Sequence, residues 1–100
     1  MAEADRPIEE EPRRRRLRYR AWHRGTREMD LVLGRFVDAE LTGMSDDEVT
    51  ELETLMEAPD PDLFAWVLGQ AAVPEQLNTP IFRRLADFNR TGKGSGRSQT

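Results

Sequence analysis

No cysteine occurs in the 100 residues of this chain. That absence excludes a disulfide scaffold, a thiolate zinc site and a thiol nucleophile together, and it fits a reducing compartment. Histidine is nearly missing as well. His23 stands alone, so a metal site would have to recruit carboxylates, and no His-x-x-x-His spacing exists to start one. The longest unbroken apolar run, Leu63 to Leu68, falls far short of the roughly 20 residues that cross a bilayer, so no membrane partner is expected. No stretch of useful length alternates apolar and polar residues, which leaves no candidate strand. Residues 1–12 hold Glu3, Asp5, Glu9, Glu10 and Glu11, whereas import and secretion signals are poor in acids. The expectation is a bacterial cytoplasmic protein in preference to one of the mitochondrial matrix.

What is present is enough for one small soluble domain, with 37% hydrophobic and 34% charged residues. A core of this size leaves little room for a deep catalytic cleft, which favours a binding protein over an enzyme. Charge is unevenly placed. Arg13 to Arg27 holds eight arginines and no acid, while Phe36 to Asp62 holds ten acids and no base. Such separation marks either partner surfaces or two helices that attract one another.

Composition divides the chain into three. Residues 1–12, with Pro7 and Pro12 among acids, read as a disordered arm, and residues 89–100, with Gly92, Gly94, Gly96, Ser95 and Ser98, as a flexible tail. Residues 13–88 form the folded part. Its best helix is Glu28 to Leu41, where Met29, Val32, Leu33, Phe36, Val37 and Leu41 make one apolar stripe. Gly34 interrupts it at a cost of about 1 kcal/mol relative to alanine, which points to close approach by another helix. Gly43 supplies the stop. Ser45-Asp46-Asp47-Glu48 is a capping box that opens a further helix with Val49, Leu52, Leu55 and Met56 inside. Asp60 as N-cap and Pro61 at the first helical position start the next, which buries Leu63, Phe64, Val67 and Leu68. Thr79-Pro80 starts a short last helix with Ile81, Phe82, Leu85 and Phe88, and Arg13 to Trp22 makes a first helix with little to bury. The fold class is therefore all-α, a small five-helix antiparallel bundle with disordered arms at both ends.

Several candidate sites dissolve on inspection. Asp60-Pro61-Asp62 begins like a calcium loop but lacks its glycine and terminal glutamate. Gly92-Lys93-Gly94-Ser95-Gly96 lacks the strand and the Ser or Thr after lysine that a phosphate loop needs. The arginines from Arg13 to Arg20, with Tyr19 and Trp22, could bind nucleic acid, although the acidic second half would repel a polyanion. The segment Arg24-Gly25-Thr26-Arg27-Glu28-Met29-Asp30 is different. A helix-to-helix hinge needs the glycine, with Gly25 ending one helix and Thr26 or Gly25 capping the next, but it has no need of the surrounding charge. Arg24 offers a planar donor fork and Glu28 an acceptor to a complementary pair on another protein.

At these residues the sequence resembles the succinate dehydrogenase assembly factor family, the FAD assembly factors, whose hallmark Arg-Gly-x-x-Glu is met by Arg24, Gly25 and Glu28. The resemblance runs from Leu17 to Phe88 through Asp30, Ser45-Asp46-Asp47-Glu48, Asp60-Pro61-Asp62-Leu63-Phe64 and Trp66. It implies a factor that binds the flavoprotein subunit of succinate dehydrogenase, with fumarate reductase as a further candidate, and promotes covalent FAD attachment. It also implies no catalytic residue, no metal and no stably bound cofactor, FAD belonging to the partner. The expected partner-binding residues are Arg24, Gly25, Glu28 and Asp30, with Tyr19, Arg27 and Trp66 as candidates for additional contacts. The free chain is expected to be monomeric.

Overall fold

The apolar stripe of Met29, Val32, Leu33, Phe36 and Val37 is buried along one face of α2, Arg27–Glu40, a helix against which three of the other four pack. The computed structural model describes residues 11–91. Within them α1 is Pro12–Ala21, α3 Asp46–Leu55, α4 Asp60–Val67 and α5 Pro80–Thr91, with 3-10 turns at Leu41–Gly43 and Glu75–Leu77. No strand occurs among the described residues, and the chain is all-α as its periodicity requires. Most of the two arms, residues 1–10 and 92–100, lies outside the described residues.

Each helix starts where local chemistry permits. Thr26 caps α2, its hydroxyl accepting from the Met29 amide at 3.2 Å, and Glu28 and Asp30 lie in the first turn against the positive helix end. The capping box of α3 is complete, Ser45 Oγ accepting from Glu48 N at 3.1 Å and Glu48 Oε1 from Ser45 N at 2.9 Å. Thr79 caps α5 through the Phe82 amide. For α4 the expectation needs correction. Pro59 holds the N-cap position, and Asp60 is the first helical residue. Its carboxylate is thereby released from capping and bonds a distant segment instead.

Helix α5 packs on α2, α3 and α4 and presents Ile81, Phe82, Leu85 and Phe88 to the core. The Phe88 ring meets Phe36 edge-on, with centroids 5.6 Å apart. This helix is longer than its sequence suggests and continues through Asn89, which the composition placed in the tail. The Asn89 amide donates to the Val32 carbonyl at 3.3 Å and to Leu85 O at 2.9 Å, tying the last turn to α2. Leu68 departs from expectation in the other direction and is exposed. It is the C-cap of α4, and Gly69 follows at φ 76°, a left-handed conformation suited to glycine. Gly69 N then donates to Trp66 O and Gln70 N to Ala65 O, the two bonds of a Schellman ending. The chain turns away before Leu68 can join the stripe.

Helix α1 buries only Leu17 and Ala21, and polar contacts hold the rest. Arg14 donates to the carbonyls of Leu41 and Met44, at 2.9 and 3.0 Å, and pairs with Asp46. Arg13 pairs with Glu53 at 2.9 Å, holding that carboxyl below its ordinary value of 4.5 chiefly through the hydrogen bond, and Arg18 pairs with Asp38 at 2.7 Å. The basic and acidic halves of the sequence thus meet within the molecule.

Gly34 on α2 receives the Trp22 indole from the end of α1. A Cβ at position 34 would lie 2.3 Å from Cδ2 of that ring, so close approach is required here, by a side chain rather than a helix backbone. Trp22 Nε1 donates to Asp38 Oδ2 at 3.2 Å, which fixes the indole in that position. Gly34→Ala is expected to destabilise the protein by about 1–3 kcal/mol through overpacking, although alanine is the better helix former. Urea unfolding measures this. A variant more stable than the parent would show that the indole relocates without cost.

Candidate partner-binding site

Between α1 and α2 the chain makes a tight turn whose backbone is held by carboxylates from two directions. The Arg24 amide donates to Asp30 Oδ1 at 2.6 Å, and the Gly25 amide donates to Asp60 Oδ2 at 2.9 Å. Charge-assisted bonds of this kind are about twice as strong as neutral ones. Together with the Thr26 cap they fix three successive residues.

The Arg24 side chain closes the arrangement from below. Its Nε and Nη2 reach Asp60 Oδ1 at 2.9 and 2.6 Å, Nη1 donates to Met56 O at 3.0 Å and Nη2 to Ala58 O at 3.4 Å. Met56 is the C-cap of α3, so the guanidinium supplies both hydrogen bonds and positive charge where that helix leaves carbonyls unpaired. Asp60 opens α4. One arginine therefore fastens the α1–α2 turn to the α3–α4 junction. Only 11% of its side chain remains exposed. The sequence presents Arg24 as a donor fork open to a partner; in the structure that fork is occupied by internal acceptors.

Gly25 is also placed for a different reason. Among the described residues only Gly69 has a left-handed φ, so Gly25 needs no special backbone conformation and does not end α1, whose C-cap is Trp22. A Cβ at position 25 would sit 3.3 Å from Asp60 Oδ2, tighter than ordinary contact. The small residue lets the carboxylate close on the amide.

The groups left on the surface are Gly25, Thr26, Arg27 and Glu28. Glu28 has no hydrogen bond or ion pair with any described residue, whereas Asp30 is half-buried and grips the turn. Tyr19 and His23 lie beside it on the surface, their rings stacked at 3.8 Å, and His23 Nδ1 is 2.7 Å from Tyr19 O. A carbonyl only accepts, so that nitrogen carries the proton. Trp66 lies elsewhere. It is half-buried on α4, packed against the core, and lines a depression with Leu68, Ala86 and Asn89. The residue that local rules missed is Asp60. An aspartate beside two prolines reads as a cap, and the surplus charge on Arg24 was the sign that it required a partner.

Residues 15–89 match the family model described as flavinator of succinate dehydrogenase. The chain belongs to this family. Its similarity to members of the flavinator family extends over most of the sequence: 44% identity across 82 residues with the FAD assembly factor SdhE of Acetobacter pasteurianus, covering 82% of this chain and 75% of that protein. The FAD assembly factor SdhE of Ralstonia nicotianae is 38% identical over 78% of the chain and 81% of its own length. Mitochondrial succinate dehydrogenase assembly factor 2 of Dictyostelium discoideum is 35% identical over 70% of the chain, which spans 50% of that protein. No solved structure matches the chain. The turn at Arg24 to Glu28 and the clamp at Asp60 both fall within the region shared with the flavinator family. No helix among the described residues is long and apolar enough to cross a membrane.

Proposed function

We propose that this chain is an assembly factor that binds the flavoprotein subunit of succinate dehydrogenase and promotes covalent attachment of its FAD, contributing no catalytic group and holding no cofactor of its own. The observation that carries this reading is the clamped turn, which presents Gly25 and Glu28 on a pre-ordered surface. A rigid site binds without a further ordering cost. Arg24 and Asp30 serve as positioning residues, and Glu28 is the group that meets the partner, with Tyr19 and Arg27 at its margin.

A binder accelerates a reaction in another protein by favouring the competent conformation over the others. A differential affinity of about 1.4 kcal/mol shifts that population ratio tenfold. FAD and the chemistry of its attachment stay with the flavoprotein, and fumarate reductase is a second candidate client. The free factor is monomeric. The setting is the bacterial cytoplasm, its bacterial part supported by the two SdhE relatives.

Co-expression with the flavoprotein subunit tests the proposal, with covalent flavin scored by fluorescence of the denatured band. Wild-type chain is expected to raise the signal. Glu28→Ala is expected to weaken binding by roughly tenfold or more at a cost in stability of no more than about 1 kcal/mol, because the side chain has no internal hydrogen-bond or ion-pair partner and contributes only its charge at the start of α2. No gain over the flavoprotein alone would reject the function; Glu28→Ala binding like wild type would reject the assignment of that residue.

A further inference from the structure

Five arginines close on carboxylates of another helix: Arg13 on Glu53, Arg14 on Asp46, Arg18 on Asp38, Arg24 on Asp60, and Arg84 on Glu40 and Glu48. Arg27 and Arg35, both on α2, have no such partner among the described residues. Each has an aspartate three positions on, where a helical ion pair would ordinarily form. Those aspartates are committed elsewhere. Asp30 accepts from the Arg24 amide, while Asp38 accepts from Arg18 at 2.7 Å and from the Trp22 indole at 3.2 Å. The fold draws both carboxylates toward α1 and the turn, and leaves two cations exposed on the outer face of α2.

Between these cations lies Leu31, 41% exposed and one of three large apolar side chains so placed among the described residues. At 3.6 residues per turn, Arg27, Glu28, Leu31 and Arg35 fall within an arc of about 100°, opposite the buried stripe; Asp38 lies in the same arc one turn beyond Arg35, its carboxylate bonded to Arg18 and the Trp22 indole. With a rise of 1.5 Å per residue, Arg27 and Arg35 are about 12 Å apart along the axis, with Leu31 midway. The arc begins where the clamped turn ends, so the two surfaces are continuous.

We propose that this outer face of α2 continues the docking surface and seats one segment of the flavoprotein subunit, in which two carboxylates about 12 Å apart flank an apolar side chain. An extended segment with acids at i and i+4 and an apolar residue at i+2 spans about 13 Å and fits the spacing. Glu28, within the same arc, disfavours a uniform polyanion and calls for a cation on the partner, which sets direction along the helix. This surface rests on the functional reading above and adds to it Leu31, Arg35 and the chemistry of the segment that they recognise.

The test compares wild type, Arg35→Glu and the Arg27→Glu/Arg35→Glu double variant for affinity to the purified flavoprotein subunit at low and moderate salt, with thermal melts alongside. The expected result is about a tenfold loss for the single reversal and about a hundredfold for the pair, with melting temperatures unchanged and smaller differences at higher salt. A photocrosslinking residue in place of Leu31 is expected to capture a flavoprotein peptide carrying two acids around an apolar residue. If wild type binds the flavoprotein and the double variant binds equally well, this surface is wrong and the functional reading stands. Failure of wild type to bind overturns both. Capture of a second copy of the chain, of nucleic acid or of a flavoprotein segment without acids overturns the recognition chemistry proposed here.

Discussion

Arg24→Ala is expected to destabilise the protein by about 3–5 kcal/mol, the range measured when one partner of a largely buried ion pair is removed. The Asp60 carboxylate would keep only the Gly25 amide as a donor, and the carbonyls of Met56 and Ala58 would lose the guanidinium that satisfies them. For a domain this small each kcal/mol lowers the melting temperature by roughly 4–8 °C, so the transition should fall by more than about 12 °C. Asp60→Ala should cost a similar amount. The double variant should cost clearly less than the sum, because the same contacts cannot be lost twice. Arg24→Lys restores the charge without the planar fork and is expected to recover only part of the loss. Thermal and urea unfolding of the four variants settle the matter. If Arg24→Ala melted with wild type, the clamp would contribute nothing, and Arg24 would have to be returned to the docking surface.

This expectation changes how a loss of function at Arg24 should be read. A motif arginine whose substitution abolishes partner binding is ordinarily assigned to the interface. Here the side chain is directed inward, and its removal would loosen the turn that carries Gly25 and Glu28. Arg24→Ala should therefore lower stability and binding together, whereas Glu28→Ala should lower binding with a loss of stability of no more than about 1 kcal/mol. Gly25 is likewise constrained from within the molecule. A side chain there would press on Asp60 at 3.3 Å and disturb the surface from within, before any partner approached.

The helices were legible because their information is local. The stripe of Met29 to Val37, the Ser45 to Glu48 capping box and the Thr79-Pro80 start all depend on residues within one or two turns, and the structure reproduces them. What was not legible depends on separations that such rules do not reach. Arg24 meets Asp60 across 36 positions, whereas the local pattern of an Asx residue before proline is satisfied within Asp60's own helix. Gly25 resembles a conformational glycine in sequence for the same reason: its neighbour in space is absent from its neighbourhood in the chain. Gly34 shows the intermediate case, where the demand for a close approach could be inferred but not the identity of the Trp22 ring that makes it. The charge polarity of the chain allows either partner surfaces or attraction between its halves, and the structure shows the attraction in the pairs of α1 with Asp38, Asp46 and Glu53, which no local pattern specifies.

Arg84→Met is the second substitution with a large expected effect, again about 3–5 kcal/mol. Glu40 at the end of α2 is the one charged residue buried in the core among the described residues, its side chain 8% exposed, and the Arg84 guanidinium is its ion-pair partner. The other terminal nitrogen of Arg84 reaches Glu48 Oε2 at 3.0 Å, while Glu48 Oε1 completes the cap of α3. Arg84 on α5 thus fixes the last turn of α2 to the first turn of α3. Its own Nε is buried without an acceptor, so the arrangement is already imperfect, and replacing it with apolar groups need not cost more. Burying a carboxylate with no partner is the costly state; burying two apolar side chains in its place is not. The Arg84→Met/Glu40→Leu double variant is therefore expected to recover most of the stability lost by Arg84→Met. A coupling of at least about 2 kcal/mol in the double-mutant cycle would be the signature of a true buried pair. Additive effects of the two substitutions would instead place both side chains in solvent-screened contact, worth no more than the surface pairs of α1.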